Sequence, residues 1–526
     1  MRRVYRTKNS IPSHRIGQHV FFQWRAFTSV EKTHATLSSV YLHRDNDMGT
    51  VNGQSVREEA ERIKAEFDRI AASKKIDSES KILFQSMLML INLLIAIFLE
   101  KSTKKHNKNS SKPSSQTEKD ESSITSAGTN GKGKKENNAT ADNTRTVETV
   151  SVSKVTRCDV CGKDLTGVAC QHAERRTKID IVFEKKIKHV DAEVKQCPEC
   201  DSTVKGKFPS DMPGPLQYGN GLKAYIISLL VCQMISLNRV QKMIKSIIGE
   251  VIAEASLLKF VLRLHLALEQ WEATSIEKIL KSTTMHVDET SLRVDKKNCW
   301  IHVYSADDIT LKLLHQKRGM EAIEDIKIIP RYSGTIIHDC WASYLAYDNC
   351  DHGLCGSHIV RELTCIIESN GYRWASNMKD LLLETFKIVS KRKKKRLSEK
   401  KYANLQKRYR NIITRGEAEL PAIPKKPNGK RGKMAKSDAH NLLERLKNHE
   451  SSVLLFARKS DVPFTNNRAE RDLRMSKVKQ KVSGCFRKEI YAQAYCRISS
   501  YLQTMANKGH NPLIAIQMAL AGEITG

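Results

Sequence analysis

The spacing of apolar and polar residues divides the chain into helical and extended stretches. Between residues 215 and 280, apolar side chains recur every three to four positions, as in Tyr225, Ile226, Leu229 and Leu230. This period predicts helices that pack one face into a core. Beyond this stretch the pattern changes from helical to extended, which predicts strands.

The extended stretch contains four predicted strands and one helix. Three strands form a meander, with Asp307 and Asp308 in one of its turns, and a helix follows Gly319. A short fourth strand ends at Asp339, and the first strand is expected to end at Asp288. The four strands cover residues 284–288, 299–304, 310–314 and 334–338. We therefore predict a mixed α/β fold with an acid at the end of the first and fourth strands.

The C-terminal half is helical again and strongly basic. Residues 355–450 include an unbroken basic run from Lys391 to Arg396 and a Pro/Gly/Lys stretch from Pro421 to Lys433. We interpret this part as a helical insertion with an exposed loop. From Asn466 to about Ala521 the pattern is helical, and Thr465 or Asn466 is suited to cap the first of these helices.

The N-terminal part has three segments of different character. Residues 1–55 show no clear period and are described as an uncharacterised arm. Residues 56–100 have helical spacing, and their apolar run, Leu83–Leu99, keeps the four-three spacing of a coiled-coil seam. Because that run is at the short limit for a membrane span, we favour an oligomerisation helix over a membrane anchor. Residues 101–150 are rich in Lys, Ser and Asn, which predicts a disordered linker.

The charge of the chain indicates a polyanionic partner. Lys and Arg total 89 and Asp and Glu total 58, which gives a net charge of +31. Nucleic acid is the first expectation, because each neutralised phosphate releases counterions, although solvated basic faces are the simpler alternative. An odd number of cysteines without a secretory leader argues against a disulfide framework. We expect a cytoplasmic, nucleoid-associated protein.

Two pairs of cysteines have the spacing of a structural zinc site. Cys158-x-x-Cys161 and Cys197-x-x-Cys200 are two knuckles that can place four thiolates tetrahedrally around one Zn²⁺. Four free thiols in a reducing compartment are the alternative. We predict a small zinc-binding domain at residues 151–205.

A third motif, Cys355-x-x-His358, has two open interpretations. Residues three positions apart on a helix face alike, so this pair has the geometry of metal ligands. Ordinary helix packing near the active site is the interpretation we prefer.

Acidic residues in three distant parts of the chain suggest metal-dependent phosphodiester chemistry. If the first and fourth strands are neighbours, Asp288 and Asp339 meet at one edge of the sheet. Glu470, one turn into the helix that follows Asn466, is the best third acid. A pair of divalent cations roughly 4 Å apart needs such shared carboxylates. Glu289 has the opposite strand parity and Asp472 lies on another helix face, so both should point away.

Several segments together resemble the large transposase of the insertion sequence 66 family. The similarity covers roughly residues 80 to 520, and its C-terminal block is long. The first 55 or so residues match nothing in that pattern. The matching segments are CDVCGKDL with CPEC, FPSDMPGPLQYGNGLKAY, HVDETSLRV, IIHDCWASY, HGLCGSHIVREL, FTNNRAERDLRMSKVKQKVSGCFRK and RISSYLQTMANKGHNPLIAI.

This resemblance implies a domain plan and an activity. It implies a leucine-zipper-like N-terminal helix, a zinc-binding domain, and a ribonuclease-H-like catalytic domain at 215–480 with a helical insertion at about 355–450. A C-terminal helical region at 481–526 completes the plan. The implied reaction is metal-dependent cleavage at the ends of the element, followed by strand transfer into target DNA.

The resemblance also implies site residues and partners. The acidic triad carries over as Asp288, Asp339 and Glu470, with Mg²⁺ or Mn²⁺ as the catalytic metal and Zn²⁺ at the cysteine knuckles. DNA, a homo-oligomer and accessory proteins of the same element are the implied partners, with no membrane. The candidates for holding DNA phosphates are Arg361, Arg468, Arg471 and Arg474.

Three alternatives remain open on the sequence. The first is a catalytically inactive, zinc-containing DNA-binding protein derived from a transposase. The second is a ribonuclease or resolvase that uses the same fold on another substrate. The third is a membrane-bound regulator built on Leu83–Leu99.

Overall fold

A computed structural model describes most of the chain beyond its N-terminal arm. The described residues are 53–72, 78–103, 105, 106, 109, 150–181, 183–423 and 436–524. The predicted arm at 1–55 and linker at 101–150 lie almost entirely outside this part of the chain.

The N-terminal segment forms two helices, as its spacing predicts. They are α1 (Gly53–Ala72) and α2 (Ser78–Ser102). Among the described residues, Ser80–Ser102 is the one helix long and apolar enough to cross a membrane. The C-terminal end of α2 is packed into the protein, because Glu100 is buried and accepts hydrogen bonds from the backbone N–H groups of Asp438 and Ala439. The predicted oligomerisation role of this helix stays a prediction.

The following segment contains little regular structure. Residues 150–219 hold one small antiparallel hairpin, formed by β1 (Val194–Gln196) and β2 (Thr203–Lys205). The cysteine knuckle Cys197–Cys200 lies in the connection between these two strands.

Four helices precede the central sheet, in agreement with the period of residues 215–280. The first continues into a π-helical turn at Ser228–Cys232. The helices are α3 (Asn220–Ile227), α4 (Leu237–Ile248), α5 (Glu254–Ala267) and α6 (Glu269–Leu280). Their apolar faces join the same hydrophobic core as the sheet.

The central sheet has five strands, and the predicted order of elements is confirmed. In chain order they are β3 (Thr284–Val294), β4 (Lys297–Ala306), β5 (Ile309–His315), then after α7 (Met320–Ile326) β6 (Thr335–His338), and after α8 (Ala342–Leu345) β7 (Asp351–Leu354). The spatial order is β5-β4-β3-β6-β7. The first three strands form the antiparallel meander, and β6 and β7 run parallel to β3. The last strand, β7, has no counterpart among the predicted strands.

One strand boundary differs from the prediction. Asp288 does not end β3 but lies in its middle, because the strand continues through the buried residues Leu292 and Val294. The turn that ends it is formed by Asp295 and Lys296, both with positive φ (46° and 62°). Two consecutive left-handed residues make the tight hairpin turn that suits the twist of antiparallel strands.

The helical insertion forms a second hydrophobic core, which also includes Ile337 of β6 and Leu354 of β7. It contains α9 (Gly356–Asn370), α10 (Arg373–Lys391), α11 (Glu399–Glu419), α12 (Asp438–Asn448), α13 (Glu450–Val453) and α14 (Leu455–Arg458). The chain enters and leaves it at one place, where the N–H of Gly356 donates to the carbonyl of Phe464 at 2.7 Å. Most of the predicted loop Pro421–Lys433 lies outside the described residues.

Three helices complete the chain and return to the first core. They are α15 (Asn467–Ser483), α16 (Glu489–Asn507) and α17 (Pro512–Ala521). The first of them packs on β3 and β4, and α16 packs on β5. Asn466 is the N-cap residue of α15, as predicted, and this places Glu470 in the first turn.

Candidate active site

Asp339 follows directly after β6 in a tightly constrained turn. The next residue, Cys340, has a φ of 71°, which is unusual for a residue other than glycine. The turn is supported by the N–H of Cys340, which donates to Nδ1 of His338 at 3.2 Å. Asp339 itself accepts a hydrogen bond from the N–H of Trp341 at 3.2 Å. The carboxylate is therefore oriented by the backbone that follows it.

Two hydrogen-bonded histidines support this turn from inside the protein. Because Nδ1 of His338 accepts from a backbone N–H, its Nε2 carries the proton and donates to Nδ1 of His352 at 3.1 Å. Nε2 of His352 in turn donates to the carbonyl of Tyr347 at 2.8 Å. Burial lowers the pKa of His338 to about 3, so this ring is uncharged at neutral pH.

Strand register explains why Asp288 comes close to Asp339. In the parallel pair of β3 and β6, Thr284 lies opposite Thr335 and His286 lies opposite Ile337. The same offset, continued two residues beyond the last pair, places Asp288 level with Asp339. Two acids 51 positions apart in sequence thus meet at the end of β6, since 339 minus 288 is 51.

Glu470 reaches the same region from α15. The N-cap residue Asn466 makes no capping bond with its side chain. Its amide instead donates to the carbonyl of Val287 at 2.8 Å, and its Oδ1 lies 2.8 Å from Nδ1 of His286. These bonds fasten the start of α15 to β3 immediately before Asp288. The side chain of Glu470 is 28% exposed.

The charges of the neighbouring acids act on Asp288. Burial raises the pKa of Asp288 well above its usual range. The negative charges of Glu289, Asp339 and Glu470 add to this increase. Like charges that raise one another's pKa are the condition that a bound cation relieves. Among the described residues, however, the carboxylates of Asp288, Asp339 and Glu470 do not form a group with all ligand atoms within 4.8 Å.

Cys355 and His358 lie beside Glu470. Cys355 is the N-cap residue of α9, and one ligand atom from each of these three residues lies within 4.8 Å of the others. Nδ1 of His358 is 3.5 Å from Oε1 of Glu470. The sequence pattern placed the cysteine and histidine on one helix face, but it contained no signal that Glu470 would join them.

The contact between Cys355 and His358 lowers the pKa of the cysteine and raises the pKa of the histidine. Burial lowers the pKa of His358, but contact with Cys355 and the charges of Glu470 and Asp339 outweigh it and raise the pKa to about 9. Burial alone would raise the pKa of Cys355. Its contacts with His358, Ser357 and the N–H of Asn466 instead lower it below the usual range.

Glu289, the residue after Asp288, has side-chain partners that the sequence did not predict. Glu289 faces away from Asp288, as its strand parity predicts, and its side chain is 1% exposed. Its Oε1 accepts from Nε and Nη2 of Arg318 at 2.8 and 2.6 Å, and its Oε2 accepts from the Tyr344 hydroxyl at 2.6 Å. The guanidinium of Arg318 lies 5.0 Å from the ring of Trp300 and 4.5 Å from that of Trp341.

A comparison with known protein families covers this whole region. The profile described as Transposase IS66 family matches residues 215–494, more than half of the chain. The chain belongs to the IS66 family of transposases. A search of curated proteins found no match. Membership implies an enzyme that processes DNA with divalent metal. The matched region contains the three acids and the motif Cys355-x-x-His358.

The four arginines predicted to hold DNA phosphates are placed differently in this transposase. Arg471 and Arg474 are exposed on α15. Arg361 is half-buried on α9, and Nη2 of Arg468 donates to the carbonyl of Ile309 at 3.1 Å. Burial lowers the pKa of Arg468. The exposed pair is thus better placed for DNA than Arg468.

Asp472 serves the interior of the transposase. It is buried and accepts hydrogen bonds from the hydroxyls of Ser305 at 2.7 Å and Thr310 at 2.9 Å. This agrees with its predicted position on a different face of α15 from Glu470.

The cysteine knuckles lie outside the matched region and are not gathered into one cluster. In the first knuckle, the N–H of Gly162 donates to the carbonyl of Cys158 at 2.9 Å, and in the second, Asp201 donates to Cys197 at the same distance. The two turns therefore have matching backbone geometry. Within the described residues, however, no three of the four sulfurs lie within 4.8 Å of one another.

Proposed function

We propose that this transposase cleaves DNA at the ends of its insertion sequence and joins the freed ends to target DNA, using Asp288, Asp339 and Glu470. The observation that carries the proposal is geometric: the register of β3 and β6 sets Asp288 level with Asp339, and Asn466, at the start of the helix of Glu470, is hydrogen-bonded to Val287 next to Asp288. This arrangement supports a site in which Asp288 of β3, Asp339 after β6 and Glu470 of α15 act together.

The donor set fits divalent cations. Carboxylate oxygens are the ligands that Mg²⁺ and Mn²⁺ prefer. The negative charges of Glu289, Asp339 and Glu470 raise the pKa of Asp288, and a cation held among these carboxylates would offset their mutual repulsion. Two ions held by these acids would supply Lewis acidity for the attacking and leaving oxygens of a phosphodiester.

The chain's own residues hold the acids in place. The two hydrogen-bonded histidines orient the turn at Asp339, and Asn466 fastens α15 to β3. Exposed Arg471 and Arg474 lie on the helix that carries Glu470, where they are suited to bind DNA phosphates. The net charge of +31 favours the same partner.

The sheet topology supports a ribonuclease-H-like catalytic core. Its order, with three antiparallel strands followed by two strands parallel to the first, is the order expected from the family resemblance. On this proposal the catalytic domain spans 215–480, and α9 to α14 form the helical insertion. The zinc-binding domain at 151–205 and oligomerisation through α2 are further parts of the same proposal.

Cleavage of a supercoiled donor plasmid carrying the element's ends tests the proposal. We expect Mg²⁺- or Mn²⁺-dependent nicking at the ends, which Asp288→Asn reduces by at least about a thousandfold, on the scale of a lost electrostatic catalytic group. Asp348→Asn is the matched control, because Asp348 is an exposed acid nine positions after Asp339.

Two outcomes would contradict the proposal. Equal cleavage by Asp288→Asn and the wild type would remove the catalytic assignment. Binding of the ends without cleavage in either metal would favour the alternative of an inactive, zinc-containing DNA-binding protein. A preference for labelled RNA–DNA hybrid over the element's ends would favour a ribonuclease.

A further inference from the structure

The contact between the start of α9 and the first turn of α15 has the composition of a transition-metal site. Cys355, His358 and Glu470 each offer one ligand atom, and these atoms lie within 4.8 Å of one another. Among the described residues, no other group of three or more His, Cys, Asp or Glu residues meets this distance. Cys355 is the N-cap residue of α9, His358 lies in the first turn of α9, and Glu470 lies in the first turn of α15.

Two atoms of this cluster are unsatisfied. Nδ1 of His358 and Oε1 of Glu470 are both buried, and neither has a hydrogen-bond partner in the described part of the chain. They lie 3.5 Å apart, the distance of an ion pair when His358 is protonated. A buried polar atom left without a partner is destabilising, because it has given up its hydrogen bonds to water. An ion between the two atoms would satisfy both.

The sulfur has the surroundings of a metal-bound thiolate. Cys355 is buried, and its Sγ accepts a hydrogen bond from the N–H of Asn466 at 3.1 Å. The hydroxyl of Ser357 lies 3.0 Å from the same sulfur. Hydrogen bonds of this kind to a ligand atom orient it and stabilise its charge. They leave the sulfur's remaining lone pairs for an ion.

We propose that Cys355, His358 and Glu470 bind a thiophilic divalent cation of the zinc class. One sulfur, one imidazole nitrogen and one carboxylate oxygen make a mixed donor set that suits Zn²⁺ and Co²⁺ and does not suit Mg²⁺. Three protein ligands leave the fourth tetrahedral position open to water or to a substrate oxygen. Glu470 then borders two ion sites, this one and the one that the proposed function assigns to the acids.

Cobalt binding to the full-length chain tests the site without any need for DNA cleavage. Thiolate-bound Co²⁺ has a charge-transfer absorption in the near ultraviolet, and metal content per chain is measured after dialysis. We expect the wild type to bind one Co²⁺ more than Cys355→Ser or His358→Asn. The change in affinity should exceed the roughly 100-fold that loss of an outer-shell partner can cause.

Cys365→Ser is the matched control. Cys365 lies on the same helix, is half-buried, and is not part of the cluster. Because the four knuckle cysteines are present in every variant, any cobalt that they bind cancels in the difference between variants. Circular dichroism identifies a variant that has lost its fold, and the other of the two cluster variants then supplies the comparison.

The outcomes separate this inference from the proposed function. Loss of the extra Co²⁺ and of its charge-transfer band in Cys355→Ser or His358→Asn, with both retained in Cys365→Ser, supports the site whether or not the protein cleaves DNA. Equal metal content and identical spectra in the wild type and the cluster variants would overturn it. A loss shared by Cys365→Ser would also overturn it, because the effect would then not depend on the three ligands.

Discussion

Replacing Arg318 by alanine should leave the buried carboxylate of Glu289, beside the candidate active site, without its cationic partner. The side chain of Glu289 is 1% exposed, whereas that of Arg318 is 43% exposed. Breaking a fully buried ion pair costs about 3–5 kcal/mol, and an exposed pair is worth about 0–1 kcal/mol. Since only one partner is buried here, we expect Arg318→Ala to cost about 2 kcal/mol. Loss of the stacking on Trp300 and Trp341 adds about 0.5–1 kcal/mol.

Urea unfolding at neutral pH, arranged as a double-mutant cycle, measures this cost. In a Glu289→Gln background the side chain at position 289 has no charge for Arg318 to compensate. Arg318→Ala should therefore cost only the stacking contribution of about 0.5–1 kcal/mol. Arg318→Lys is the control that keeps the charge but loses the planar stack, and it should fall between the wild type and the alanine variant.

The pH dependence gives the cycle a second readout. Burial raises the pKa of Glu289, and Arg318 lowers it again, so removal of Arg318 raises the pKa further. A carboxyl group whose pKa is raised on folding is better tolerated by the folded protein when it is protonated. The folded protein therefore loses stability as the pH rises and the group ionises. The cost of Arg318→Ala should therefore be largest at neutral pH and shrink in acid, where Glu289 is protonated in both proteins. An equal cost in both backgrounds, unchanged between neutral and acidic pH, would refute this reasoning.

Three further predictions concern other parts of the fold. Because the pKa of His338 is about 3 in the folded protein and about 6.5 when unfolded, acid favours the unfolded state. Lowering the pH from 7 to 5 should therefore destabilise the wild type by about 2 kcal/mol more than His338→Asn, as measured by urea midpoints; equal losses would contradict it. Gly356→Ala should cost about 1–3 kcal/mol, because its Cβ would lie 2.2 Å from Phe464, whereas Gly167→Ala, which meets nothing within 4 Å, should be close to neutral in thermal unfolding. Glu100→Ala should cost about 1–2 kcal/mol by uncapping the first two N–H groups of α12, and Glu100→Gln should recover most of it; similar melting temperatures for all three proteins would argue against the cap.

The order of elements in the central sheet could be predicted because each strand has a clear local pattern. The apolar segment before Asp339 and the acidic turn at Asp307 and Asp308 are short-range signals that need no knowledge of the rest of the chain. The N-cap position at Asn466 was also predicted from a local signal, and that prediction set Glu470 one turn into α15.

Features that depend on distant partners could not be predicted in this way. The middle position of Asp288 in β3 follows from a turn at Asp295 and Lys296, which has positive φ angles but no glycine to signal them in the sequence. The strand β7 has the sequence DHGL, which is weakly apolar and pairs only because β6 lies beside it. The ion pair of Glu289 with Arg318 joins two elements 29 positions apart.

The base of the helical insertion has a consequence for how this enzyme can change. Cys355 and Asn466, 111 residues apart, are joined by a hydrogen bond, and Gly356 is bonded to Phe464 just inside them. The inserted helices begin and end at this stem, and the same stem holds the start of α15, the helix that carries Glu470. Doubling the length of a flexible loop costs only about 0.6 kcal/mol. Length changes in loops of the insertion far from this stem should therefore leave the acid in place, as long as the two ends of the stem stay hydrogen-bonded.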